Sequence, residues 1–174
     1  AFCPRLQEII ELKSIIGVRS PANTFARMIN PFDAPYSIQS IFHPNYREIH
    51  REVSRLLGQP HMAVFKGEGG EIERRPEKPV TVENLHDDKN EDEDWPALID
   101  APRSTDETMD LARLKALWQG HDKDPYAEAI VIGTAAIALR LMGRAKTPAE
   151  ADAEARRMWA ARPADILQSA ARAA

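Results

Sequence analysis

A guanidinium fixed at a helix boundary is the first group in this chain with evident chemistry. Arg19 follows Gly17, which suits the left-handed end of a helix, and Pro21 suits the first turn of the next one. A guanidinium there stays charged and can hold a carboxylate or phosphate through two parallel hydrogen bonds. It can equally do no more than cap the carbonyls of the preceding helix. Asn23 and Asn30 lie close behind it. The second candidate is Lys66-Gly67-Glu68-Gly69-Gly70-Glu71-Ile72-Glu73. Its glycines let the backbone pass close to a ligand, and Glu71, with Glu68 and Glu73 beside it, offers carboxylate oxygens to a hard cation. The same composition also serves a plain turn between strands. It is not a Walker loop, since no Lys-Ser/Thr pair follows, nor a dinucleotide fingerprint, since no helix pattern follows.

The third candidate is a row of cations. Arg47, Arg51 and Arg55 recur every four residues, which puts them on one stripe of a helix. Read functionally, the stripe tracks phosphates of a nucleic acid, with Lys66 joining it and Arg74, Arg75 and Lys78 adding charge. Read structurally, Glu48 and Glu52 interleave with it as i,i+4 partners on a solvated face. His86, Asp87 and Asp88 could ligate a metal, but their spacing matches no known cage and a solvated loop suits them better. Nucleophilic catalysis has no candidate set, because Cys3 is solitary and His43, His50, His61, His86 and His121 are scattered.

These groups need elements to position them. Leu6, Ile9, Ile10, Leu12, Ile15 and Ile16 recur at helical spacing, and Phe25, Met28 and Ile29 form a second short stripe closed by Asn30-Pro31. Residues 37–42 read as a buried strand, 45–57 as a helix ending at Gly58, and 62–65 as a short strand. Residues 74–82, with Pro76 and Pro79, read as an edge connection, and 83–94 as an acidic, solvated loop. Ser104-Thr105-Asp106-Glu107 opens a helix through Trp118, Asp124-Pro125 opens a nearly uncharged one, and Thr147-Pro148-Ala149-Glu150 opens a third. A last helix starts at Pro163. The uncharged helix, apolar on nearly all sides, must be buried.

The 174 residues carry a net charge of −4 that is unevenly spread. Residues 81–110 hold 2 Lys/Arg against 11 Asp/Glu, whereas residues 1–80 hold 11 against 9 and residues 111–174 hold 10 against 7. The remainder outside the acidic segment is therefore mildly basic, which admits a polyanionic partner. No apolar run is long enough to span a bilayer, and a single cysteine fits a reducing cytoplasm.

Gly17-Val18-Arg19, Asn23-Thr24 and Asn30-Pro31 together resemble the G-[hydrophobic]-R-T-x-x-N-x-x-G-P-x-x-N-P segment of anthranilate phosphoribosyltransferases. The segments 39–58, 63–73 and the alanine-rich helix from Asp124 follow in that family's order, over about its C-terminal half. The resemblance implies an α/β fold of the nucleoside phosphorylase/phosphoribosyltransferase type, with residues 1–33 from the small helical lobe and 34–174 from the α/β domain. It implies Arg19 and Asn23 as substrate-binding residues, Glu71 as a magnesium ligand, phosphoribosyl pyrophosphate as substrate, and a homodimer. There are departures. Ser20-Pro21-Ala22 replaces Thr-hydrophobic-Phe, Ala26-Arg27 replaces Gly-Pro, Gly70 stands where the family has Asp, and no Gly-Thr-Gly-Gly-Asp phosphate loop is present. Two functions remain open. One is a divergent, non-biosynthetic branch that binds nucleic acid through Arg47, Arg51, Arg55 and Lys66. The other is a glycosyltransferase passing phosphoribosyl to anthranilate or a similar aromatic acceptor, an activity this stretch alone should not sustain.

Overall fold

The computed structural model describes residues 3–18, 21–67, 71–100 and 110–165. Its centre is a four-stranded sheet in the order β1 (Tyr36–Ile41), β2 (His61–Lys66), β3 (Val80–His86), β4 (Lys89–Trp95). β1 and β2 run parallel, which needs a crossover connection, here carrying the helix α4 (Arg47–Leu56). The other two pairings are antiparallel. The expectation of an α/β chain is met.

Strand alternation sends each residue type to one of two layers. Ala63, Phe65, Val82 and Trp95 face α6 (Pro125–Leu141) and α7 (Pro148–Ala160), whose Ile132, Ala136, Ile137 and Ala155 complete the main core. Ile41, Met62, Val64 and Leu85 make a smaller cluster on the opposite face, against α4. The burial of α6 follows from its composition, as expected. Asp124 caps it by accepting from the Tyr126 and Ala127 amides, and Gly143 leaves it at φ +71°. Thr147 caps α7 by accepting from the Glu150 amide. α5 (Leu111–Gln119) starts from Asp110, whose carboxylate accepts from the Ala112 amide. The capping box expected at Ser104 lies outside the described residues, and so does most of the helix expected after Pro163.

The amino-terminal segments are short: α1 (Pro4–Glu11), α2 (Lys13–Ile16) and α3 (Ala22–Phe25), the last running into a 3-10 turn at Ala26–Met28. Gly17 ends α2 at φ +74°, as the sequence requires. Asn30 ties this region to the sheet. Its Nδ2 donates to the Ala34 carbonyl (2.8 Å) and the Gln59 side chain (3.0 Å), and its Oδ1 accepts from the Ala34 amide (2.9 Å).

The acidic loop expected over 83–94 is corrected: those residues belong to the β3–β4 hairpin. Its two-residue turn, Asp87-Asp88, has φ of +44° and +69°, the conformation that matches strand twist in tight hairpins. The run Lys89 to Trp95 alternates faces, with Glu91, Glu93 and Trp95 paired opposite Asn84, Val82 and Val80 on the α6 side, and Asn90, Asp92 and Asp94 on the α4 side. Arg51 of α4 meets Asp92, Arg140 of α6 meets Glu93, and the Thr81 hydroxyl donates to Asp94, so these charges are held on the strand instead of expelling it. No helix among the described residues is long and apolar enough to cross a membrane.

Candidate functional site

The first region is built on α4. This helix turns a polar face to the sheet: His50, Arg51 and Ser54 are buried. Arg47 Nε lies 2.9 Å from Glu83 Oε1, Arg51 Nη1 2.5 Å from Asp92 Oδ1, and Arg55 Nη1 2.5 Å from Asp88 Oδ1. Arg55 also donates to Asn90. The three arginines therefore stand in a row, as their spacing demands, but the row meets the hairpin edge. The expected i,i+4 partners are not what engages it, and Arg55 pairs instead with Glu52 at i,i+3 (3.1 Å). Lys66 is exposed at the carboxyl end of β2.

Arg74 does not belong with these cations. It is 0% exposed, with Nη1 donating to Asp152 (2.8 Å), Nη2 to the Pro96 carbonyl (2.7 Å), and its guanidinium 4.7 Å from the Trp95 ring centroid. Burial pulls its pKa down and pushes that of Asp152 up, while each charge favours the other's ionised form. We hold the pair to be ionised, because the guanidinium keeps three supporting contacts.

The second region lies by the carboxyl ends of the parallel strands, where α/β sheets commonly take ligands. A crevice of about 280 Å³ is lined by Arg27, Ile38, Gln39, Ser40, Glu71 and Ile72. The Gly67 amide donates to the Ile41 carbonyl (3.1 Å), closing β1 against the turn. A Cβ on Gly67 would sit 2.1 Å from both the Glu71 carbonyl oxygen and Ser40 Oγ, so only glycine lets the turn fold back on its own start. Ser40 is 1% exposed, and its hydroxyl has no partner among the described residues. Arg27 Nη1 donates to the Ser40 carbonyl (2.7 Å). Behind the crevice, Gln39 Oε1 meets His50 Nδ1 at 2.7 Å, and burial, followed by the charge of Arg27, holds the His50 pKa below its usual value. A neutral imidazole there donates through Nδ1.

The structure thus brings Arg47, Arg51 and Arg55 together and sets Glu71 on the crevice wall. It does not join Glu71 to further ligands: no group of three His, Cys, Asp or Glu side chains among the described residues could hold a metal. Arg19, Glu68 and Gly70 lie outside the described residues, and Asn23 is placed only as part of α3. Sequence reasoning missed Ser40, Gln39 and His50, whose only signal was polar residues at inward-facing strand and helix positions.

Comparison with known proteins agrees with part of the resemblance. The chain is 31% identical over 84 residues to the anthranilate phosphoribosyltransferase of Polynucleobacter necessarius subsp. necessarius, a match spanning 48% of this chain and 25% of that enzyme. It is 33% identical over 67 residues to the anthranilate phosphoribosyltransferase of Burkholderia mallei, spanning 38% and 20%. A protein of uncharacterised function from Aquifex aeolicus is 35% identical over 81 residues, spanning 47% and 26%. The chain therefore spans about a quarter of the length of the curated relatives it matches. No family model matches it. The chain is distantly related, over part of its length, to anthranilate phosphoribosyltransferases.

Proposed function

We propose that this protein is a non-biosynthetic relative built on the anthranilate phosphoribosyltransferase scaffold, and that it binds nucleic acid through the arginine row of α4 with Lys66 as a further phosphate contact. The supporting observation is how the row is held. Asp88 and Asp92, which engage Arg55 and Arg51, have side chains 78% and 55% exposed. An ion pair open to water, as Arg55–Asp88 is, contributes about 0–1 kcal/mol, so a phosphate can take that carboxylate's place, whereas the Arg51 side chain is only 10% exposed. Glu83, mostly buried, keeps Arg47 and Arg51 aimed from beneath. The hairpin carboxylates compete with the ligand, which fixes the sign of the test. Asp88→Asn and Asp92→Asn strengthen binding of a single-stranded oligonucleotide, Arg55→Glu weakens it, and affinity falls with salt as phosphate contacts release counterions. Absence of binding at low salt removes the reading.

A second reading rests on the crevice. The Gly67 fold-back and the unpartnered Ser40 hydroxyl favour a small ligand there, and the named relatives favour phosphoribosyl pyrophosphate with an aromatic acceptor. By the resemblance, Arg19 would hold the acceptor's carboxylate. Among the described residues Glu71 is the one expected magnesium ligand, and a single carboxylate holds Mg²⁺ only where substrate phosphates and waters complete its shell. Loss of anthranilate fluorescence in the presence of phosphoribosyl pyrophosphate and Mg²⁺ would favour this transferase reading; no turnover counts against it.

A further inference from the structure

A row of side chains crosses one end of the sheet on its α6 face. Tyr36 pairs with His61 across β1 and β2, His61 with His86 across β2 and β3, and His86 with Lys89 across the hairpin. Directly opposite residues share a face, so these side chains stack along the sheet. The Tyr36 and His61 rings lie nearly parallel, 4.9 Å between centroids. His61 Nδ1 and His86 Nδ1 face each other at 3.4 Å.

We propose that His61 and His86 form a binding site for a single divalent transition-metal ion of the zinc, nickel or copper kind. Two nitrogens bound to zinc at about 2.0–2.1 Å and at a tetrahedral angle stand about 3.3 Å apart, so the imidazoles are already at the required separation. The ring nitrogen on the far side of His61, Nε2, lies 3.8 Å from the exposed Asp87 Oδ1. At that distance the carboxylate adds negative charge beside the site without hydrogen-bonding the ring.

Groups of both signs surround the pair. The histidines open onto a cavity of about 270 Å³ that Glu91 also lines and that the carboxyl-terminal turn of α6, 141–143, borders. The negative end of a helix stabilises positive charge. Arg140 lines the same cavity, but its Nε is bound to Glu93 at 3.0 Å, and Lys89 is exposed at the hairpin edge. Burial, the leading cause, holds the His86 pKa below its usual value; His61 and Arg140 act the same way, while Glu91 and Asp87 oppose. A neutral imidazole is the form a metal binds. No three ligating side chains are preassembled among the described residues, so water fills the remaining positions, or Glu91 does after a rotamer change.

The test titrates the full chain with Zn²⁺ against a chromophoric chelator near pH 7.5 and records the spectrum of bound Cu²⁺ by electron paramagnetic resonance. One equivalent should bind, with nitrogen hyperfine structure from two imidazoles. His61→Gln and His86→Gln should each weaken binding about tenfold or more, Asp87→Asn less than either, and His43→Gln and His121→Gln not at all. Should a His variant unfold, ring resonances of the wild-type chain decide: those of His61 and His86 must shift together on adding one equivalent of Zn²⁺. Lack of saturable binding up to about 1 mM, unchanged affinity in both variants, or shifts confined to other histidines would overturn the site.

Discussion

Replacing Arg74 by methionine is the sharpest structural perturbation available, because it removes a fully buried cation without removing much volume. The substitution removes the hydrogen-bonded counter-charge of buried Asp152, leaving only the weaker field of Arg156, strips the Pro96 carbonyl of its donor and ends the stacking on Trp95. A hydrogen bond to a charged group contributes about 1.5–3 kcal/mol, and an orphaned buried acceptor costs about 1–3 kcal/mol. These overlap, and removal of one member of a buried ion pair costs about 3–5 kcal/mol as a whole. For a chain of this size that lowers Tm by roughly 6–20 °C. The double variant Arg74→Met/Asp152→Leu should recover about 2 kcal/mol or more, since no charge is then stranded. The pH dependence has a definite sign. With its folded pKa raised by burial, Asp152 favours the fold below its unfolded pKa of 3.8 and loses that contribution as pH rises through the folded value. The Arg74→Met penalty must therefore shrink on acidification. Urea unfolding at two pH values measures all of this. A single-variant cost below about 1 kcal/mol, or a double variant no better than the single one, would refute the reasoning. Arg74 also anchors the chain leaving the crevice, its amide donating to Thr134 Oγ1 (3.0 Å), so the same variant should loosen residues 71–76 in hydrogen exchange.

Other outcomes follow from the same structure. His50 and His86 both have folded pKa values below 6.5 because of burial, so they stabilise the fold above that pH and lose the contribution as pH falls through the folded values. His86→Gln should flatten the loss of stability measured by thermal melts between about pH 7 and pH 5. Gly67→Ala should cost about 1–3 kcal/mol by overpacking against Ser40 and the Glu71 carbonyl. It should also abolish binding of any small ligand in the crevice, which calorimetry with phosphoribosyl pyrophosphate checks.

The elements that bury apolar residues were legible in the sequence. Tyr36 to Ile41, His61 to Lys66 and the alanine-rich α6 carry plain hydrophobic runs bounded by glycine and proline, and Gly17, Gly58, Gly120 and Gly143 end helices at positive φ as their positions suggest. The hairpin was not legible by hydrophobicity, because β4 presents Glu91, Asp92, Glu93 and Asp94 where a strand usually alternates apolar and polar residues. Acidic residues fall on both of its faces without a period, and only their distant partners tell the faces apart, Arg51 and Arg55 on one and Arg140 on the other. The Asp87-Asp88 turn was the local signal. In sequence Arg74 is one more cation beside Arg75 and Lys78, and its burial comes from partners 22 and 78 residues away that no local pattern reveals. The arginine row itself was legible from spacing, but its engagement by the hairpin was not.

The nucleic-acid proposal requires exposed hairpin carboxylates to occupy phosphate positions on α4. Fluorescence anisotropy with a labelled single-stranded oligonucleotide, comparing wild type with the Asp88→Asn/Asp92→Asn variant at low and moderate salt, tests it most directly. Wild type should bind measurably at low salt and less as salt rises, and the variant should bind more tightly. Absence of binding by both proteins, or weaker binding by the variant, would contradict it.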